Sequence, residues 1–296
     1  MSVVESFLKY IQYEKRYSSH TLDAYSLDLE QFASYLQSNF EETDLTKATH
    51  SMIRSWVVAL MEIEDKTSTI NRKISTLKSF YKYLLRTGVT QSNPTGRVIR
   101  PKMPKRLPTF VEEKSMEKLF DTFQYDDNDF EGYRNTLILE MLYTTGIRRS
   151  ELMNLRERDF DAYHLQVKVL GKRKKERIIP ITKSVMERVQ QMIQLNKKNH
   201  PDHVEGFVFL SAKGVKIYPE LIYSITKNHL SHVTTNQKKS PHVLRHSFAT
   251  HLLNHGAEIN AIKELMGHSS LASTQVYTHN TIDKLKAVFK QAHPKA

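Results

Sequence analysis

The sequence predicts a mainly α-helical chain of two domains, with one small β-sheet confined to the second. Three observations carry that expectation. Apolar residues recur at intervals of three and four through the first hundred positions, the period of a helix face. Residues 93 to 108, NPTGRVIRPKMPKRLP, then break the pattern with four of the chain's nine prolines. Two β-branched runs, HLQVKVL at 164–170 and ERIIPI at 176–181, flank the short polar insert GKRKK. A length of 296 residues suits two domains at roughly 150 each.

Each element has its own signal. Ser18 and Ser19 are good N-cap residues, and Leu22, Tyr25, Leu29, Phe32 and Leu36 follow on one face. Met52, Ile53, Trp56, Val57, Leu60 and Met61 repeat the spacing, and Ile70, Ile74, Leu77, Tyr81 and Leu84 form a third stripe. Opposite that stripe stand Arg72, Ser75 and Ser79, with Asn71, Lys78 and Lys82 to one side. Small hydroxyls among cations suit close contact with phosphate, although a solvated helix face has the same make-up. The proline-rich break divides the chain into a helical domain at 1–96, a basic linker at 97–108 and a second domain at 109–296. The linker carries five basic residues between Arg97 and Pro108, Arg100 and Lys102 among them, and no acidic one. Proline stiffens such a segment towards the extended form, and its charge suits a strand lying along phosphates.

In the second domain, Asp121, Asp126, Asp127, Asp129 and Glu131 read as a solvated acidic loop, and Leu137 to Tyr143 as an apolar helical segment. The two β-branched runs read as a hairpin with a basic turn. Phe207 to Ser211 suggests a further short strand, and from Pro219 onward the pattern is mostly helical, ending in a helix around Ile282 to Ala292.

Composition narrows the function. The 44 Lys and Arg exceed the 32 Asp and Glu by 12, and the pI is about 9.5, which favours a polyanionic partner, nucleic acid first. The absence of cysteine excludes disulfides, thiolate nucleophiles, iron–sulfur clusters and sulfur-ligated zinc fingers. No apolar run approaches the ~18 residues of a membrane span. The start, MSVVESFLKYIQYEKRYSS, lacks the parts of a signal peptide, so a cytoplasmic protein without membrane contact is expected.

Four segments could do chemistry. In Gly146-Ile147-Arg148-Arg149-Ser150-Glu151-Leu152 a break precedes a new helix, which places an arginine beside a helix start, either as an anion ligand or as a surface cation. Lys172 in the hairpin turn could protonate an alkoxide leaving group. Beside Arg173, Lys174, Lys175 and Arg177 it could equally belong to a solvated basic turn that tracks phosphates. In Pro241-His242-Val243-Leu244-Arg245-His246, His242 and Arg245 share a helix face, and the arginine offers a planar fork to phosphate oxygens. Gly267-His268 and Tyr277-Thr278-His279 complete the set. A tyrosine oxygen can attack phosphorus, although packing is the ordinary role of one tyrosine among 14. His242 and His246, like His251 and His255, have a spacing seen in metal sites, but no H-E-x-x-H is present and no metal is expected.

Together the segments LYTTGIRRSEL, VLGKRKKERIIPI, SPHVLRHSFATHLLNHGA and LMGHSSLASTQVYTH resemble the tyrosine recombinase (phage integrase) family. TINRKISTLKSFYKYL and the terminal AHPKA resemble its Xer branch, of the XerC and XerD type. The resemblance covers essentially the whole chain and implies the two-domain fold of that family: a helical, SAM-like core-binding domain and an α+β catalytic domain. It implies that Arg148 and Arg245 clamp the scissile phosphate, that Lys172 protonates the departing 5′-hydroxyl, and that His242 and His268 bond the phosphate and assist proton transfer. Tyr277 would be the nucleophile, forming a 3′-phosphotyrosyl bond that a partner strand resolves through a Holliday junction. No cofactor or metal is implied.

Further contacts to double-stranded DNA are expected from Arg72, Ser75, Lys78, Arg100, Lys102, Arg173 and Lys174. The family's usual assembly is a tetramer on DNA, of identical subunits or with a XerC/XerD paralogue. Its usual task is resolving chromosome dimers at a dif-like site, with a septal translocase of the FtsK kind as activator. The chain is expected to start at the core-binding domain without an added arm-binding domain, and it has no large insert of the integron type. These features favour a housekeeping Xer protein over a mobile-element integrase. A non-catalytic DNA-binding protein of the same fold, or a type IB topoisomerase, fits less well, because every catalytic position is filled and the layout is short.

Overall fold

A computed structural model describes residues 2–63, 65–103, 109–124, 126, 128–171, 176–203 and 205–267. The chain separates into two compact units, Met1–Arg106 and Leu107–Ala296.

The N-terminal unit is helical. Helix α1 (Val3–Lys9) opens on a capping box, in which the Glu5 amide donates to Ser2 Oγ and the Ser2 amide donates to Glu5 Oε2, both at 3.1 Å. A π-helical turn, Tyr10–Glu14, continues it. Helices α2 (Ser19–Phe40), α3 (His50–Glu62) and α4 (Thr67–Arg86) follow. The core they enclose holds Phe7, Leu29, Phe32, Leu36, Ile53, Trp56, Ile70, Ile74, Leu77, Phe80 and Leu84, with the stripes of α2 and α4 facing inward as their spacing predicts. The stripe on α3 is narrower than expected. Met61 is 53% exposed and Ile53, Trp56, Val57 and Leu60 do the packing. Tyr81 is buried with its hydroxyl donating to the Leu45 carbonyl at 2.7 Å.

The head of the expected linker is not a free extended strand. Thr95 and Val98 are buried in this unit. Asn71 Nδ2 donates to the Pro101 carbonyl at 3.1 Å and Lys78 Nζ to the Val98 carbonyl at 3.3 Å. The carbonyls of Val98 and Pro101 have thus found donors on the polar side of α4, so the segment lies on that helix.

The second unit is built round one helix buried on nearly every side. In α6 (Phe130–Thr145) Leu137, Ile138, Leu139, Met141 and Leu142 are all fully enclosed, the signature of a helix inside a core rather than on its surface. Helix α5 (Glu113–Thr122) precedes it, a short α7 (Arg149–Leu152) follows it, and the hairpin comes next. β2 (Gln166–Leu170) pairs antiparallel with β3 (Glu176–Pro180), with Val167 opposite Ile179 and Val169 opposite Arg177. A two-residue β1 (Phe160–Asp161), too short to show in sequence, adds an edge and gives the order β1-β2-β3. Helices α8 (Lys183–Asn199), α9 (Pro219–Ser231), α10 (Pro241–Asn254) and α11 (Ile259–Met266) complete the described part, with α8 and α10 packed on α6.

Two expectations need correction. Phe207–Ser211 forms no strand: it makes isolated bridges from Phe207 to Arg156 and from Leu210 to Lys216, because its partners on either side run alongside for too short a distance. The acidic residues are not simply a loop. Asp121 lies in α5, Asp129 caps α6 by accepting from the Gly132 amide at 2.9 Å, and Glu131 pairs with the enclosed Arg134. Asp127 and the expected helix around 282–292 lie outside the described residues. Among the described residues no helix is long and apolar enough to cross a membrane.

The turn after α6 is tight. Gly146 has φ +58°, and a Cβ there would fall 2.4 Å from Cδ1 of Phe248 on α10. Gly146→Ala should therefore lose about 2–4 kcal/mol through left-handed strain and overpacking together, read as a lower urea midpoint of the full chain with an unchanged slope.

Candidate active site

Three arginines from three elements meet around one carboxylate. Arg148 stands at the N-cap of α7, Arg177 in β3 and Arg245 in the second turn of α10. Glu151, at the third position of α7, is enclosed between them. Arg177 Nη1 and Nη2 donate to its Oε1 and Oε2, each at 2.8 Å. Arg148 adds Nη1 to Oε1 at 2.8 Å and its backbone N–H to Oε2 at 2.9 Å. Burial alone would raise the Glu151 carboxyl. The bonds and charge of Arg177, with the bonds from Arg148, outweigh it and hold the group down at about 2.

The same arginines share a second object, the C-terminal end of α11. Arg177 Nε donates to the Leu265 carbonyl at 2.9 Å, Arg245 donates to the Met266 carbonyl, and Arg148 Nη2 donates to the Gly267 carbonyl at 2.8 Å. The last carbonyls of a helix lack partners within it and carry partial negative charge, so three guanidiniums are a fitting cap. Arg245 also donates to the Gly146 carbonyl at the end of α6. Gly267 itself adopts φ +62°, and its missing Cβ leaves room for the Arg177 stem, whose Cδ would otherwise stand 3.1 Å away.

His242 lies one residue after Pro241, which begins α10. Desolvation of its ring, followed by the charges of Arg149, Arg245 and Arg148, lowers its pKa below the ordinary imidazole value of 6.5. It is accordingly neutral at pH 7, able to accept a proton or to donate one N–H. Arg245 is only 7% exposed. Burial, then Arg148 and Arg177, bring its guanidinium down to about 10, so it stays charged at neutral pH. Arg148 is the more open of the two, with 32% of its side chain exposed. The cluster can therefore present fixed positive charge and a neutral imidazole to an anionic group, such as a phosphodiester.

The structure thus brings together Arg148, His242 and Arg245, residues separated by almost a hundred positions. Lys172, Arg173, Lys174, His268 and Tyr277 lie outside the described residues. Arg177 corrects the reading of a wholly solvated basic turn: it is 4% exposed, because strand alternation aims it inward with Ile179, opposite Val169. That parity was its signal in the sequence. For Glu151 the signal was its place three residues after a helix start, the position that closes a capping box.

The other expected contacts lie in the N-terminal unit. Arg72 is not a free cation, since it pairs with the fully buried Asp28 of α2 and donates to the Ala24 carbonyl at 3.3 Å. Thr76 Oγ1 donates to the same Asp28 carboxylate at 2.7 Å. Ser75 Oγ donates to the Asn71 carbonyl at 2.7 Å and accepts from Arg100 Nη2 at 3.1 Å. Lys78 is tied to the Val98 carbonyl and Lys102 is exposed. Among the described residues no group of three or more His, Asp or Glu could hold a metal ion. His251 is instead enclosed against α6, its Nδ1 2.9 Å from the Tyr143 hydroxyl.

The depressed Glu151 pKa gives a signed expectation. A carboxyl lowered on folding adds stability that is full above its unfolded value of 4.5 and drains as pH falls towards 2. Acid titration of the thermal melt should show that drain, and Glu151→Gln should show less of it. The variant should start about 3 kcal/mol less stable, because the Arg177 charge stays buried with half of its partner gone.

Comparison with known proteins gives the family. Residues 109–284 match the phage integrase family, and residues 4–88 match the phage integrase N-terminal SAM-like domain. The chain is 34% identical over 317 residues to the tyrosine recombinase XerC of Chlorobaculum parvum, covering 99% of this chain and 94% of that one. It is 38% identical over 300 residues to the XerC of Bacillus licheniformis, covering 98% and 95%. Among solved structures, the XerH site-specific recombinase bound to a palindromic difH substrate superposes with a TM-score of 0.70 at 20% identity, covering 97% of this chain and 83% of that one. Matched along nearly all of its length by relatives above 30% identity, the chain belongs to the phage integrase family, the tyrosine recombinases.

Proposed function

We propose that this enzyme is a site-specific recombinase that resolves chromosome dimers at a dif-like DNA site. The observation that carries the reading is the convergence of Arg148, Arg245 and a neutral His242 on one cluster, since in-line attack at a phosphodiester needs fixed cations on the non-bridging oxygens and a group to move a proton. Arg148 and Arg245 hold the scissile phosphate. The Tyr277 oxygen attacks phosphorus, the O–P bond forms as the P–O5′ bond breaks, and the phenolic proton leaves towards the histidines. Lys172 protonates the departing 5′-oxygen, with His242 and His268 bonded to the phosphate. The 5′-hydroxyl of a partner strand then attacks the 3′-phosphotyrosyl bond and releases Tyr277, which exchanges strands through a Holliday junction without added energy. The N-terminal unit is the core-binding domain, with Ser75, Lys78, Arg100 and Lys102 towards the duplex and Arg173 and Lys174 adding phosphate contacts from the catalytic side. Four protomers, identical or paired with a paralogue, act together in the cytoplasm on the nucleoid, with a septal translocase as activator.

A nicked suicide duplex carrying a dif-like site tests the assignment on a denaturing gel. Wild type should leave a covalent protein–DNA band, Tyr277→Phe should bind DNA but leave none, and Arg245→Ala should slow the band by roughly 10²- to 10³-fold. A band that persists in Tyr277→Phe overturns the nucleophile, and an Arg245→Ala rate near wild type overturns the clamp.

A further inference from the structure

We infer that Arg177 is a positioning residue for strand cleavage: it holds the phosphate-binding arginines and the turn before His268 in one register, and its replacement will act on the chemical step rather than on DNA binding. The inference rests on the reading of Arg148 and Arg245 as phosphate ligands. Arg177 belongs by sequence to a run of cations, and it is the fold that separates it from them. It points into the core of the second unit, and its side chain is 5% exposed. All three kinds of guanidinium nitrogen are engaged, Nη1 and Nη2 on the two oxygens of Glu151 and Nε on the Leu265 carbonyl. None is turned to solvent for a phosphate.

What it holds is specific. Each Glu151 oxygen that accepts from Arg177 also accepts from Arg148, one from the side chain and the other from the backbone. The carboxylate is therefore a shared bracket. Arg177 fixes its two oxygens, and they fix both the start of α7 and the direction of the Arg148 fork. At its other end, Arg177 ties down the last turn of α11, whose next carbonyls hold Arg245 and Arg148. Its stem also fills the space that Gly267 leaves open, directly before His268. One side chain thus connects β3, α7 and α11. A lysine would keep the charge but not the planar fork that reaches three acceptors.

The test uses the full chain and a nicked duplex with a dif-like site that wild type cleaves. Single-turnover cleavage at saturating protein and the DNA Kd by mobility shift are measured for wild type, Arg177→Lys and Glu151→Asp. Glu151→Asp keeps both charges and draws the carboxylate back from the fork, so it serves if Arg177→Lys does not fold. The cleavage rate should fall about 10- to 100-fold while Kd stays within about 3-fold, the outcome for a misplaced reacting group. A folded Arg177→Lys, or failing that Glu151→Asp, that cleaves within about 2-fold of wild type, or loses only affinity, overturns the inference. Arg245→Ala in parallel separates the two levels. If it cleaves like wild type, the phosphate-clamp reading itself fails. If Arg245→Ala is slow and Arg177→Lys is fast, only the positioning role falls.

Discussion

The second unit depends on a carboxylate that two arginines share. Buried ionic groups are costly to desolvate, and a lone arginine in the position of Arg177 would be expelled or would destabilise the fold. Glu151 makes the burial tolerable, and it does so with geometry as well as charge, because a planar fork meets two carboxylate oxygens at 2.8 Å each. Once that pair is set, the positions of Arg148, α7 and the end of α11 follow from it. The hairpin is joined to the same point, since Arg177 is part of β3.

A cluster of three guanidiniums repels itself, and the protein offsets the repulsion with one full negative charge and several partial ones. The full charge is Glu151. The partial ones are the carbonyls of Leu265, Met266 and Gly267, with that of Gly146. The neutral His242 fits this electrostatic setting, because a fourth cation would add to the repulsion. Positive charge is thus stored beforehand in a fixed arrangement, which is what a pentavalent phosphorus transition state rewards. Arg72 in the N-terminal unit shows the opposite case, since its charge is already committed to Asp28.

Much of the fold was legible because helices announce themselves by period. The stripes of α2 and α4 point into the core, and the hairpin pairs β2 with β3 as its β-branched runs suggest. Sequence was less informative where a segment's structure depends on distant partners. Phe207–Ser211 has the composition of a strand, but its neighbours give it only isolated bridges. Val98 and Pro101 look like linker until α4 supplies donors for their carbonyls. In the site, Arg148, His242 and Arg245 stood out by their setting, whereas Arg177 hid among other basic residues and Glu151 appeared as an ordinary helix-start acid. Strand parity and the capping-box position mark the two separately, but that they meet on each other is plain only once β3 and α7 are packed together.

The anchorage of the arginines at the end of α11 uses main-chain oxygens, and this bears on how the site can drift over evolution. The atoms that receive Arg148, Arg177 and Arg245 are present whatever side chains occupy 265 and 266. Replacing those side chains tests core packing and leaves the acceptors where they are. Adding or deleting one residue in α11 would instead rotate the carbonyl ladder by about 100° and present each guanidinium with the wrong oxygen. Beyond what packing demands of Ile262 and Leu265, the anchorage therefore constrains the segment's length rather than its composition, a constraint to which alanine scanning is blind.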